Sequence, residues 1–177
     1  QVMKLLVVID MQNDFVTDAL GTKEAVAITE NVLAKVKAAK EAGDRVIFTR
    51  DTHTEDYLNT QEGRILPVPH CIKGTRGWQL IDCLRPFEED CTVIDKPSFG
   101  SVELGSLVAE MNAGGELEEI TLIGLCTDIC VISNAMILKA SCPEVPITVD
   151  SSCCAGVSPA THDNALEAMK VCQITVV

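Results

Sequence analysis

Six short apolar runs separated by stretches of helical spacing constrain this chain more than any other feature. The first, residues 4–9 (KLLVVI), is apolar without interruption and stops at Asp10, the pattern of a strand buried on both faces. Residues 22–42 follow with Val26, Val32, Leu33, Val36 and Ala39 at helical spacing and stop at Gly43, so a helix is predicted there. Further strands are predicted over 45–49, 92–94, 120–123, 147–149 and 174–177, and helices over 102–111, 129–140 and 161–171. Such alternation implies an α/β fold: a three-layer α-β-α open sheet of about six mostly parallel strands, with helices on both faces. Residues 50–78 show no period and carry Pro67, Pro69, Gly74 and Gly77, which predicts a long loop. Loops of that length in compact domains are usually functional.

A chain of 177 residues, 47% hydrophobic, fits a single domain over 1–177 whose core needs no disulfide staples. Its nine cysteines are an odd set without framework spacing, and several lie in apolar runs as small core residues. No signal peptide is read, Gln1 and Val2 are taken to precede a native start near Met3, and a reduced, cytoplasmic protein is expected. No apolar stretch reaches membrane-spanning length, and 26 acidic against 14 basic residues give a net charge of −12. That balance argues against nucleic acid or an anionic membrane as partner. Gly-rich phosphate loops are absent from the sequence.

In open α/β sheets, ligands bind beyond the carboxyl ends of the strands. Asp10 ends the first strand, Asp51 and His53 follow the second, Lys96 the third, Cys130 the fourth, and Cys153 and Cys154 the fifth, all expected on one rim. Cys130 lies in Gly124–Val131, where a strand runs into a helix. A thiol on that first turn is easily made a thiolate, and the turn's N–H groups can hold an oxyanion. Asp10 would take the thiol proton and return it to a leaving group, while Lys96 would lower the pKa of Cys130 and orient Asp10. The bland alternatives are a turn-capping aspartate and a solvated lysine.

Asp51-x-His53, His70 and the intervening Glu62 offer ligands that suit zinc, iron or manganese. Two of only three histidines fall here, which favours a metal over an exposed His53 and a His70 packed beside Pro69. His162, at a helix start, reads as structural. Cys126 and Cys130 are four apart, so they form no C-x-x-C redox motif, and Cys153-Cys154 is expected to be buried. Phe15 and Phe99 follow Asp10 and Lys96 closely and would line a pocket for a flat ring.

The segments Val8-Ile9-Asp10-Met11-Gln12-Asn13-Asp14-Phe15, Thr49-Arg50-Asp51-Thr52-His53, Pro69-His70-Cys71-Ile72-Lys73-Gly74-Thr75, Asp95-Lys96-Pro97-Ser98-Phe99 and Gly124–Val131 occur in the order found in isochorismatase-like cysteine hydrolases. Over nearly its whole length the chain resembles that family, and within it the nicotinamidases (pyrazinamidases). The resemblance implies a catalytic triad of Asp10, Lys96 and Cys130, and an amide cleaved through a thioester. It also implies a non-proline cis peptide at Leu125–Cys126, with the N–H groups of Cys126 and Cys130 serving the oxyanion. A metal would sit on Asp51, His53 and His70, with Glu62 as in some members, and would take a pyridine nitrogen. One departure is Leu66-Pro67-Val68-Pro69, where many nicotinamidases carry a ring-sandwiching aromatic residue. The expectation is therefore an amidohydrolase acting on nicotinamide, with one divalent metal, usually zinc, and a homo-oligomeric assembly. The rivals are a metal-independent hydrolase of another small amide or ureido compound, and a catalytically silent metal- or redox-sensing protein on the same fold.

Overall fold

A computed structural model describes residues 2–177. Six strands, β1 (Met3–Ile9), β2 (Arg45–Asp51), β3 (Thr92–Lys96), β4 (Leu117–Leu125), β5 (Ile147–Ala155) and β6 (Thr175–Val176), form one sheet in the order β3-β2-β1-β4-β5-β6. Every pairing is parallel. The helices are α1 (Asn13–Val16), α2 (Lys23–Ala27), α3 (Thr29–Glu41), α4 (Gln61–Ile65), α5 (Val102–Met111), α6 (Ile132–Ser141) and α7 (Pro159–Val171).

Side chains alternate along a strand, so the unbroken apolar run of β1 must serve two cores. Leu5, Val7 and Ile9 pack with Leu104 of α5, Leu138 of α6 and Met169 of α7. Leu6 and Val8 face the other way, onto Val32, Val36 and Ala39 of α3 and the loop residues Leu80 and Leu84. The three-layer architecture expected from the sequence follows from this pattern.

Five segments differ from the sequence reading in ways that matter to the site. Residues 22–42 are two helices, because Thr22 caps α2 by accepting from the N–H of Ala25 and the chain restarts at Ile28. β2 runs on to Asp51 and β3 to Lys96, which become cross-strand neighbours on the last rung rather than loop residues. Residues 127–131 form a wide turn, in which the N–H of Val131 donates to the carbonyl of Cys126 at 3.0 Å, before α6 begins at Ile132. The stretch 50–78 is not bare loop, since it holds a one-turn helix at Tyr57–Asn59 and α4, which Thr60 caps.

Cys153 and Cys154 depart from the predicted rim. β5 continues through both, and its register against β4 shifts between Leu122 and Gly124, so they are buried in opposite layers as the period of two requires. The strand order reverses between β1 and β4, which run parallel but whose following connections lead to opposite sides of the sheet. That switch point opens a crevice at the carboxyl ends of these two strands.

Gly124 sits at this crevice opposite Ile9, with φ of 120°, and a Cβ there would run into the carbonyl oxygen of Ile9. Gly124→Ala is expected to cost more than about 2 kcal/mol of stability, since both the dihedral and the close approach oppose it. Urea unfolding of the variant tests this, and an unchanged midpoint would refute it.

Candidate active site and metal centre

Asp10 is fully buried immediately after β1 and takes a left-handed conformation, φ 49°, that turns its carboxylate into the crevice. Thr49 of β2 donates its hydroxyl to Asp10 Oδ1 at 2.8 Å. Lys96, the last residue of β3, is also fully buried, and its Nζ lies 2.8 Å from Asp10 Oδ2 and 3.2 Å from Cys130 Sγ. The ammonium donates to the carbonyl of Ser98 at 3.0 Å and lies 3.7 Å from Asp51 Oδ1. Three residues from three strand ends, 34 to 120 positions apart, thus meet at one cation, as the sequence reading expected.

Electrostatics correct one expectation. Burial, then the charge of Asp10, raises the Cys130 thiol well above its ordinary value, and Lys96 only partly opposes them. The ammonium is already committed to carboxylates, so a thiolate would be an anion too many in a dry site. Cys130 therefore rests as a thiol. Burial also raises Asp10, with Lys96 acting against it and Asp51 with it, which makes this carboxylate a better proton acceptor. Burial works against the charge on Lys96, but the carboxylates, Asp10 before Asp51, outweigh it and hold the ammonium above its usual range.

Beside this cluster, ligand atoms of Asp51, His53, Glu62 and His70 all lie within 4.8 Å of one another. His53 Nε2 is 3.0 Å from Asp51 Oδ2 and 3.3 Å from Glu62 Oε2, and His70 Nε2 is 3.4 and 3.6 Å from the same two oxygens. Bonds of about 2 Å at tetrahedral angles put ligand atoms about 3.3 Å apart, close to these four separations, so the donor set suits a zinc-sized ion. His70 Nδ1 donates to the carbonyl of Val68 at 2.8 Å, which leaves the Nε2 lone pair facing the cluster. Burial opposes a proton on His53, yet Asp51 and Glu62 prevail and push its pKa up to about 9. His70 is raised too, chiefly by Asp51 against the opposing effect of burial. Tyr57 packs its ring 4.8 and 4.9 Å from those of His53 and His70, and Phe15 lies 5.5 Å from His70.

The thiol and three of the four donors, Asp51, Glu62 and His70, open into one cavity of about 730 Å³, which Phe15 and Phe99 also line, Phe99 at its exposed mouth. The Leu125–Cys126 peptide is cis. The N–H of Cys126 is bonded to no other backbone group among the described residues, whereas the carbonyl of Cys126 accepts from Ile129 and Val131. Burial pushes the Cys126 thiol up to about 12, which removes it as a redox partner. His162 is structural as expected: its Nδ1 lies 2.6 Å from Thr127 Oγ1 and ties α7 to the wide turn.

Three supporting residues escaped the sequence reading. Gln12 accepts from the N–H of Asp51 at 2.7 Å and donates to the carbonyls of Asp51 and Trp78 at 2.8 Å, fixing the start of the metal segment. Asn134 of α6 donates to the carbonyls of Cys130 and Phe99 and accepts from the N–H of Ser101. Its signal was a lone amide among apolar helix residues, a position where a polar group must be partnered. Thr49 gave none, because a β-branched residue in a strand is ordinary.

A parallel sheet with a buried thiol, carboxylate and ammonium at its switch point defines an α/β enzyme of the hydrolase class. The isochorismatase domain model matches residues 4–177, and the chain belongs to that family. A pyrazinamidase/nicotinamidase from Streptococcus mutans superposes with a TM-score of 0.85 at 30% identity, covering 98% of this chain and 99% of that one. A Pyrococcus horikoshii pyrazinamidase, solved in complex with zinc, gives 0.81 at 26% identity over 98% of both chains. An Arabidopsis thaliana protein called a probable inactive nicotinamidase is 30% identical over 176 residues, 93% of this chain and 87% of its own length.

Removing the cation should show its structural cost. Lys96→Met leaves Asp10 and Asp51 buried without their counter-charge, and a loss of about 3–5 kcal/mol is expected. Without Lys96 the folded-state pKa of Asp10 rises further above its unfolded value, so the penalty should be larger at pH 8 than at pH 5. A penalty independent of pH in urea titrations would count against this account. A zinc ion held by these donors would displace the proton from His53, whose pKa is pushed up to about 9, so zinc added at pH 7 in weak buffer should acidify the solution; no acidification would refute that protonated state.

Proposed function

We propose that this chain is an amidohydrolase that cleaves nicotinamide to nicotinate and ammonia through a thioester on Cys130. The observation that carries this reading is the shared cavity: the buried thiol beside Lys96 and the donors Asp51, Glu62 and His70, with His53 behind them, face the same space, Cys130 for the amide and the donor cluster for the ring nitrogen. The resemblance to pyrazinamidase/nicotinamidase structures supports it.

In this reading Asp10 takes the proton of Cys130 as sulfur attacks the amide carbon, and the N–H groups of Cys126 and Cys130 meet the developing oxyanion. Asp10 then returns the proton to the departing nitrogen, so ammonia leaves and the acyl group stays on sulfur. Water, deprotonated by Asp10, releases the acid and restores the thiol. Lys96 holds Asp10 in place throughout and keeps one positive charge opposite whichever group carries the negative one. Asp51, His53, His70 and Glu62 would hold a divalent metal, zinc in the first instance with iron and manganese also suited to these donors, which supplies a Lewis-acidic contact for the pyridine nitrogen. Phe15 and Phe99 would bound the ring.

The same proposal places the protein in pyridine-nucleotide salvage in the cytoplasm, as a homo-oligomer with a small-molecule substrate and no nucleic-acid or membrane partner. The net charge of −12 and nine cysteines without a disulfide support it, and no helix of the described residues is long and apolar enough to cross a membrane.

Ammonia release from nicotinamide should fall by about 10³-fold or more in zinc-loaded Cys130→Ala, since nucleophile loss removes the covalent route. Equal rates in both proteins, or none in either, would sink the proposal. Chelation should abolish nicotinamide hydrolysis and zinc restore it. Full activity after chelation would point instead to a metal-independent hydrolase of another amide, and a silent protein would show no turnover under any condition.

A further inference from the structure

We infer that the site takes neutral aromatic carboxamides carrying an apolar ring substituent, a class wider than nicotinamide, and rejects substrates that bear their own carboxylate. The inference rests on the amidase reading above and concerns what fills the rest of its cavity. A single-ring amide of about nine non-hydrogen atoms is far smaller than the drug-sized ligands for which cavities of about 300–1,000 Å³ are built. This one has about 730 Å³.

Beyond the thiol and the donor cluster the walls are largely apolar, with Leu20, Ala25, Ile65, Leu66, Ile129 and Val157 among the lining residues. At the mouth, Ile65 is 77% exposed, Val157 59% and Leu66 40%, so an apolar group seated there would release water from several side chains at once. Leu66-Pro67-Val68-Pro69 places no ring in this region that would stack on an unsubstituted pyridine and block a larger one.

Charge sets the other limit. No lysine or arginine lines the cavity, and its acidic lining residues are Asp51 and Glu62. Lys96 is fully buried and committed to Asp10, Asp51 and the Ser98 carbonyl. With the ring nitrogen at the metal donors, a carboxylate on the far side of the ring would meet apolar walls with no side-chain counter-charge.

Calorimetric binding to zinc-loaded Cys130→Ala tests this without turnover, using nicotinamide, its 5- and 6-propyl and 5- and 6-phenyl derivatives, and its 5- and 6-carboxylate derivatives. At one ring position or the other, the propyl or phenyl derivative should bind at least tenfold tighter than nicotinamide, since each buried methylene is worth about fourfold. Both carboxylates should bind at least tenfold more weakly. Val157→Trp, which fills part of the mouth, should reduce the gain from the substituent. The inference is overturned if every apolar derivative binds more weakly than nicotinamide, as a second copy covering the mouth would cause, if a carboxylate binds equally well, or if no ring binds. Ammonia release by the wild type is read separately: its absence alongside the expected binding order defeats the amidase reading alone, and its presence without that order defeats this inference alone.

Discussion

One buried ammonium holds the site together. Lys96 lies beyond the reach of solvent, with Asp10, Cys130 and Asp51 within 2.8 to 3.7 Å of its nitrogen. A charge buried in this way is tolerated only when paired, and the pairing fixes the two carboxylates as firmly as it fixes the lysine. It also explains why a nucleophile with a raised pKa is no obstacle. Moving the thiol proton to Asp10 leaves the number of buried charges unchanged, so a thiolate forms by exchange of position rather than by addition of an anion.

Sheet topology supplies that geometry at little cost in sequence. The site sits where β1 and β4 diverge, and Asp10, Asp51, His53 and Lys96 hang from the last rung of a strand or the first residues beyond one. Extending β2 by two residues sets Asp51 beside Lys96 of β3 in regular register, while Gln12, just past the end of the neighbouring β1, clamps the backbone of Asp51. Rigid strands therefore do the positioning, and the irregular stretch after β2 is left to bring Glu62 and His70 across. Its own short helices and the packing of Tyr57 against both histidines keep it from being loose.

The layers, the strand count and the convergence of Asp10, Lys96 and Cys130 were legible in the sequence, because apolar runs ending in single ionisable residues mark both a buried strand and its functional rim. Strand ends were less so. Residues such as Arg50, Asp51, Asp95 and Lys96 are polar and read as loop, yet the ladder carries them because their backbone partners continue. The burial of Cys153 and Cys154 was legible, but their place on the rim failed for the converse reason, since a register shift inside β5 is invisible in composition. The protonated state of Cys130 was out of reach as well. It depends on how many carboxylates share one ammonium, a count that only three dimensions supply.

Asp51 divides its two oxygens, Oδ2 toward the histidines and Oδ1 toward Lys96. It is therefore a ligand candidate and a counter-ion at once, and the two duties cannot be inherited separately. A descendant that shed metal binding through His70 or Glu62 would keep the lysine's charge balance and an intact nucleophile. Loss through Asp51 would disturb both. Drift away from metal dependence has an open route through the loop and a closed one through the strand.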